Sequence, residues 1–177
     1  MVAYTNSVSP LASATPAMTD DNLLPFSFPA VCCKKVTAAF DGGRITSDDA
    51  VMLLSLAERR LGVADRLAQR FPERRDPMRI THTLADMIRA RIFAIACGYE
   101  DAADLDLLRT DPAFKLACGR LPETSVDLCS QPTLSRLENA PSLKDAIRLT
   151  YAVVDQWMAS SEGAPETIVL DIDWSAP

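Results

Sequence analysis

The stretch THTLADMIRARIFAIACG, residues 81–98, is the most apolar part of the chain and determines the kind of fold to expect. Thr81 or Thr83 can cap the start of a helix here, and Cys97-Gly98 suits its end. The apolar residues between these ends recur at helical spacing: Leu84, Met87, Ile88, Ile92, Phe93 and Ile95. We therefore predict a core helix, with a mainly α fold arranged around it.

Further helices are predicted on both sides of this stretch, with caps, prolines and glycines marking their ends. They run from Ser47 to Gly62, over 63–70, in two pieces of 100–119 separated at Asp111-Pro112, from Gln131 to Pro141, and from Ser142 to about Ala159. Only a few short strands are expected, one of them within 23–40. The chain thus divides into a disordered extension over 1–17, a helical region over 18–160 and a last segment over 161–177.

The composition excludes several classes of protein. No run of about 18 apolar residues occurs, so no membrane span is predicted. Residues 1–17 carry no positive charge and no sustained apolar stretch, unlike a signal peptide. The five cysteines form no Cys-x-x-Cys pair, which favours reduced thiols over disulfides or a metal knuckle. We expect a cytoplasmic protein that does not contact a membrane.

The net charge of −6 conceals two regions of opposite sign. Residues 59–91 hold nine arginines and four acids, whereas residues 121–177 hold three cations and nine acids. Arginine rather than lysine favours bidentate contacts with phosphate, so Arg74, Arg75 and Arg79 are candidate DNA contacts. A solvated helix face with local ion pairs is the alternative interpretation.

The segment SQPTLSRLEN, residues 130–139, predicts a second surface for DNA. Leu134 and Leu137 would anchor a short helix to the body of the protein. The polar side chains on its outer face can reach base edges and phosphates: Thr133, Ser135, Arg136 and Asn139. The same residue types occur on ordinary surfaces, and the connection from the preceding helix is longer than a strict helix-turn-helix allows.

The segment TIVLDID, residues 167–173, predicts a β-strand. Alternation places Asp171 and Asp173 on one face, and two carboxylates at the end of an apolar strand suit Mg²⁺. Two-metal phosphoryl transfer needs further carboxylates, collected from distant parts of a chain. A polar strand end at the surface is the alternative.

Several segments, in their order along the chain, resemble one family: FDGGRITSD (40–48), GYEDAAD (98–104), DPAFK (111–115), SQPTLSRLEN (130–139) and LDID (170–173). Over roughly 18–173 the chain resembles the N-terminal part of bacterial insertion-sequence transposases with a group-one DDE domain, of the IS-thirteen-eighty type. The resemblance implies a helical region that binds the terminal inverted repeats of the element in double-stranded DNA. A ribonuclease-H-like domain then follows, whose acidic triad holds Mg²⁺ for DNA cleavage and strand transfer.

The resemblance also assigns roles to the acids near residue 173. It makes this strand the first catalytic strand, with Asp173 as the first metal-binding carboxylate and Asp171 as the second choice. The sequence departs from the family pattern at Trp174, and the second Asp and the Glu of the triad have no counterpart. We therefore expect a fragment truncated after this strand, in which Asp173 is a catalytic remnant. Such a fragment would bind DNA without catalysing strand transfer alone or holding Mg²⁺ stably.

Two other functions remain open at this point. The chain could be a helical interaction module that associates with full-length transposase or with itself. Its contact would be the apolar face of the last helix: Leu143, Ala146, Ile147, Thr150, Tyr151, Val154, Trp157 and Met158. Alternatively, another chain could complete an active nuclease or transferase in trans, and its Mg²⁺-dependent nicking would be lost in Asp173→Ala.

Overall fold

The computed structural model describes residues 2–4, 28–39, 44–46, 48–160, 163 and 167. Their three strands are β1 Val2–Tyr4, β2 Ala38–Ala39 and β3 Arg44–Thr46. Their helices are α1 Val51–Leu61, α2 Val63–Arg70, α3 Leu84–Ala96, α4 Leu105–Leu108, α5 Pro112–Ala117, α6 Gln131–Asn139 and α7 Leu143–Ala159, with 3-10 turns at Pro77–Arg79 and Ala102–Asp104. The mainly α class is confirmed.

The three strands form one small antiparallel sheet. β1 lies in the middle, where Ala3 is opposite both Ala39 of β2 and Ile45 of β3. β1 falls inside the predicted extension 1–17, whose other residues lie outside the described part of the chain. Of the strand predicted over 167–173, only Thr167 is described, so the ribonuclease-H-like strand remains a prediction.

The core is built around α3. Thr83 caps this helix by accepting a hydrogen bond from the Asp86 amide at 3.1 Å, and the Asp86 side chain accepts one from Thr83 in return. Met87 and Phe93 each keep only 1% of their surface exposed. All residues of α5 except Pro112 are buried beside them, so this short helix belongs to the core. No helix in the described residues has the length and apolar character needed to cross a bilayer.

A sharp corner joins α1 to α2 at Gly62. This glycine has a φ of 62°, which favours glycine because it lacks a β-carbon. The Glu58 carboxylate of α1 accepts hydrogen bonds from the Val63 amide at 3.0 Å and the Ala64 amide at 2.9 Å. One side chain from the last turns of α1 therefore satisfies the free amides at the start of α2.

The helix α7 is attached to the body through polar side chains. Arg66 of α2 donates to Gln156 at 2.7 Å, and Arg70 donates to Asp155 at 3.0 Å. Among the apolar residues of α7, Ala152 is buried, whereas large ones are exposed: Leu143, Ile147, Tyr151, Val153, Val154, Trp157 and Met158. The apolar face that the sequence indicates thus points away from the core of the described structure.

An irregular connector, residues 118–130, leads from α5 to α6. The Lys115 side chain is 3% exposed. Its ammonium donates to the Pro122 and Ser125 carbonyls at 2.9 Å each and to Asp127 Oδ1 at 3.1 Å. This set of bonds fixes the connector, and with it the position at which α6 begins.

Candidate nucleic-acid interface

A cavity of about 700 Å³ lies between the segment 71–87 and the helix α6. Its polar and charged lining comes from several parts of the chain: Glu73, Arg74, Arg75, Asp76, Arg79, Thr81, His82, Arg109, Ser130, Thr133, Arg136 and Asp145. Its apolar lining comes from Phe71, Pro72, Leu84, Met87, Leu137 and Ala140. The two segments that the sequence singles out for DNA therefore converge on one concave surface.

The arginines of the loop after α2 make different contacts. Arg75 forms a fork with Glu73, donating from Nε at 2.9 Å and from Nη2 at 2.6 Å, and its Nη1 reaches the His82 carbonyl at 2.9 Å. The hydrogen bond from the Arg75 side chain is the main reason why the pKa of Glu73 lies below its ordinary value. Arg75 therefore shapes the loop, and its fork is already occupied.

Arg79 is far less constrained than Arg75. Its side chain is 87% exposed, and its nearest acid, Asp76, lies 3.8 Å away. The Asp76 side chain accepts a hydrogen bond from the Met78 amide at 3.0 Å and so caps the turn that carries Arg79. An exposed guanidinium on a capped turn is available to an external anion.

Arg74 reaches across to the start of α7. It donates to Asp145 Oδ2 at 3.1 Å, while the Ser142 hydroxyl donates to the same oxygen at 2.7 Å. These bonds, the one from the Ser142 side chain first, hold the pKa of Asp145 below its ordinary value. The side chain of Arg74 remains 62% exposed, so it can also face a ligand at the cavity rim.

Helix α6 presents only part of its predicted polar set to the cavity. Thr133 and Arg136 line it, and no acid among the described residues forms an ion pair with Arg136. Ser135 and Asn139 do not line it: the Ser135 hydroxyl accepts from Gln131 at 2.9 Å, and Asn139 donates to the Ser135 carbonyl at 2.7 Å. Leu134 has no exposed surface and anchors the helix, as its spacing predicts.

The body holds α6 through the last turns of α3. Arg91 forms a 2.7 Å ion pair with Glu138 of α6 and donates to the Glu100 carbonyl at 2.7 Å. Arg89 lies within 4 Å of Glu58 and Asp65. Together with Arg66 and Arg70, these contacts show that much of the arginine-rich region 59–91 ties helices together. The alternative interpretation of this region, local ion pairs on helix surfaces, therefore applies to these arginines.

Among the polar residues of the cavity that sequence reasoning missed are Arg109 and His82. Arg109 comes from the end of α4, has a buried Nε without a hydrogen-bond partner in the described structure, and lies 3.8 Å from Asp127. His82 accompanies it, and burial, followed by the nearby charge of Arg120, keeps the pKa of His82 below its ordinary value. Arg109 lies outside the arginine-rich region, so no sequence pattern connected it with α6.

The charge around the cavity is positive despite the acidic chain. Five arginines and three acids line it; Glu73 and Asp145 accept hydrogen bonds from arginine, and Asp76 lies 3.8 Å from Arg79. The exposed cations are concentrated at Arg74, Arg79 and Arg136. Such a concave cationic surface attracts phosphate groups more strongly than the net charge of −6 suggests.

The predicted metal ligands, Asp171 and Asp173, lie outside the described residues. Within the part that is described, no group of three or more His, Cys, Asp or Glu side chains could hold a metal ion. The assignment of Asp171 and Asp173 as magnesium ligands remains a prediction.

The sequence as a whole places the chain in a known family. It belongs to the family described as transposase DDE domain group 1, which matches residues 28–176. The match includes both the helices around the cavity and the segment with Asp171 and Asp173. Membership supports a transposase role, with DNA as the partner and a divalent metal in the general chemistry of the family.

Two other comparisons give no relatives. Neither the curated proteins nor the solved structures include a significant match to this chain.

Proposed function

We propose that this chain binds the terminal inverted repeats of an insertion sequence, in the cytoplasm, and that this binding is its part in DNA transposition. One observation supports the proposal above the others. The exposed guanidiniums of Arg74 and Arg79 and that of Arg136 on α6 line a single cavity. A family whose partner is DNA would use such a surface on the phosphate backbone.

The arrangement suggests that the residues around the cavity have different roles in binding DNA. Arg79 and Arg136 contact phosphates, because their guanidiniums are not held in close ion pairs with acids in the described residues. Thr133 is placed to donate to a base edge or a phosphate oxygen from the same side of α6. Arg75 keeps the loop in shape. Ser135 and Asn139 remain proposed contacts on the neighbouring face of α6.

A gel-shift series tests this proposal with the ends of the element and a scrambled duplex of equal length. We expect tighter binding to the ends and a steep loss of affinity as salt rises from 50 to 200 mM, about tenfold or more for a few phosphate contacts. Binding that ignores salt, or that treats both duplexes alike, would contradict the proposal.

For catalysis, we propose only that this chain retains part of the metal-binding set of the family. Asp173, with Asp171 as second choice, is the proposed ligand for Mg²⁺. Two carboxylates on one strand are insufficient to clamp both the attacking and the leaving oxygen of a phosphodiester. We therefore expect no strand transfer by these 177 residues alone. Magnesium-dependent nicking in a mixture with full-length transposase, lost in Asp173→Ala, would instead support completion in trans.

The exposed face of α7 favours a second candidate function, pairing with a second copy of the chain. Leu143 is 80% exposed and Tyr151 65% exposed, which is unusual for large apolar side chains along one helix. An antiparallel second α7 would cover this face. It would also bring the exposed cations Lys144 and Arg148 of one copy toward Asp155 of the other.

Size-exclusion chromatography with light scattering tests the pairing. We expect a dimer that dissociates in Tyr151→Glu, because a buried carboxylate without a partner opposes association. Thr124→Glu adds the same charge at an exposed position of the connector 118–130, outside α7, and serves as the control. A monomer at all concentrations would contradict self-pairing, and a complex formed only with full-length transposase would replace it.

A further inference from the structure

The cavity beside α6 contains more apolar surface than phosphate binding requires. Phe71, Leu84 and Leu137 form part of its wall, and Met87 connects that wall to the buried core. The phosphates of an intact duplex lie on a convex surface and would meet only the charged rim. The apolar interior is therefore unexplained by contacts to the backbone alone.

The dimensions and polarity of the cavity suit a different group. A volume of about 700 Å³ falls within the range of about 300–1,000 Å³ that small-molecule sites occupy. The exposed cations Arg74, Arg79 and Arg136 lie at the rim, whereas the apolar side chains Phe71, Leu84 and Leu137 are half-buried and Met87 is buried. A nucleotide has the matching division, with an anionic phosphate attached to a flat base that stacks on aromatic or apolar side chains.

Polar groups at the wall can recognise the edge of a base. Thr133 and Ser130 bring hydroxyls, and the His82 ring brings a nitrogen donor or acceptor. The two hydroxyls lie 3.1 Å apart, so whichever of them accepts the hydrogen bond between them keeps its own proton to donate outward. Arginine side chains at the same wall can stack on a base as well as bind phosphate.

We propose that this cavity receives one nucleotide turned out of the DNA stack, with its base against the apolar wall and its phosphate at the arginine rim. The inference rests on the proposed DNA-binding function and deepens it. The shared ligand chemistry is that of a nucleoside monophosphate. A free nucleotide carries the same chemistry, and the experiment separates the two sources.

The test compares two duplexes of one sequence, one fully paired and one with a single unpaired nucleotide, by fluorescence anisotropy with the full chain. The unpaired nucleotide has already lost part of its pairing and stacking. We therefore expect the wild-type chain to bind that duplex about tenfold more tightly. Scanning the unpaired position along the duplex locates the nucleotide that enters.

A cavity-filling variant connects this preference to the cavity. Ala140 is exposed, lines the cavity and lies just after α6, so Ala140→Phe fills space without removing a charge. We expect it to bind both duplexes equally while keeping its salt dependence, whereas Ala140→Ser retains the preference. Equal thermal unfolding midpoints of the three proteins show that the fold is intact.

The outcomes separate the inference from the proposed function. Failure to bind either duplex would overturn both. Salt-dependent binding without preference, or a preference that Ala140→Phe leaves intact, would overturn the inference alone. A free deoxynucleoside monophosphate could bind while the duplex with the unpaired nucleotide binds no more tightly than the paired one. That result would assign the cavity to free nucleotides and overturn the proposal of a nucleotide turned out of DNA.

Discussion

Arg74, in the loop after α2, donates a 3.1 Å hydrogen bond to Asp145 at the start of α7, joining positions 71 residues apart. Asp145 is 2% exposed and also accepts hydrogen bonds from the Ser142 hydroxyl and amide. The contact places one arginine of the cavity rim at the beginning of the helix with the exposed apolar face. The loop and α7 are thus coupled through one carboxylate.

The lowered pKa of Asp145 predicts how the free energy of unfolding depends on pH. A carboxyl whose pKa is lower in the folded state stabilises the fold above its unfolded pKa, about 3.9, and this contribution is lost as pH falls through the folded value. We expect the wild type and Asp145→Asn to differ most near pH 6 and to converge toward pH 2, as measured by urea unfolding.

Two further variants identify the cause of this pH dependence. The Ser142 side chain is the largest contributor to the lowered pKa, ahead of Arg74. Ser142→Ala should therefore remove most of the pH-dependent difference and cost about 1 kcal/mol through the lost helix cap. Arg74→Ala should keep most of it. The reverse ranking would contradict the assignment.

The cavity arginines are expected to separate into two groups on mutation. Arg79→Ala and Arg136→Ala should each weaken DNA binding and reduce the slope of log affinity against log salt by about 1. Arg75→Ala should lower the thermal unfolding midpoint, because it breaks the fork with Glu73 and the bond to the His82 carbonyl. Gel shifts and differential scanning fluorimetry measure the two effects.

A matched control is available on α1. Arg60 is exposed and does not line the cavity, so Arg60→Ala removes the same charge elsewhere. Its salt slope should match that of the wild type. An equal loss in Arg60→Ala would mean that overall charge, not the cavity rim, determines DNA affinity.

The buried ammonium of Lys115 predicts a large effect on stability. Lys115→Met keeps an unbranched side chain, one atom shorter, but leaves the Pro122 and Ser125 carbonyls without their donor. We expect the free energy of unfolding to fall by about 2–3 kcal/mol, the cost of buried polar groups left unpaired. Chemical denaturation measures this change, and Lys144→Met, at an exposed site on α7, provides the control.

The cysteines predict a pattern of chemical labelling. All five are free; Cys32 and Cys33 are exposed, whereas Cys118 and Cys129 are buried. Burial raises the pKa of Cys118 to about 12, so little thiolate exists at pH 8. Alkylation followed by mass spectrometry should modify Cys32 and Cys33 first and Cys118 only after unfolding. Rapid labelling of Cys118 in the folded protein would contradict the packing.

Local chemistry made much of the fold predictable from sequence. Of the two threonines that the sequence offers, Thr83 caps α3; Ser142 caps α7 as predicted, and Gly62 ends α1 with a positive φ. Each signal depends on residues within one turn of the helix end. The start of α1 was predicted too early: the helix begins at Val51, after a turn in which the Val51 amide donates to the Asp48 carbonyl.

The candidate site was only partly predictable, because it is assembled from distant segments. Arg79 and Arg136 were identified by residue type, but their shared cavity depends on how the body holds α6 through Arg91 and Glu138. Arg109 was missed because it reaches the cavity from α4, with no local pattern to mark it. Periodicity gives the face of a helix but not the surface that the face meets.

The Lys115 ammonium binds three oxygens of the irregular connector 118–130 and so attaches it to α5. A disulfide would cross-link such a loop permanently, whereas this attachment forms anew each time the chain folds and needs no oxidant. Loss of the Lys115 ammonium should therefore weaken the attachment of the connector at Pro122, Ser125 and Asp127 together. The position of α6, which follows the connector, therefore depends in part on the buried ammonium of Lys115.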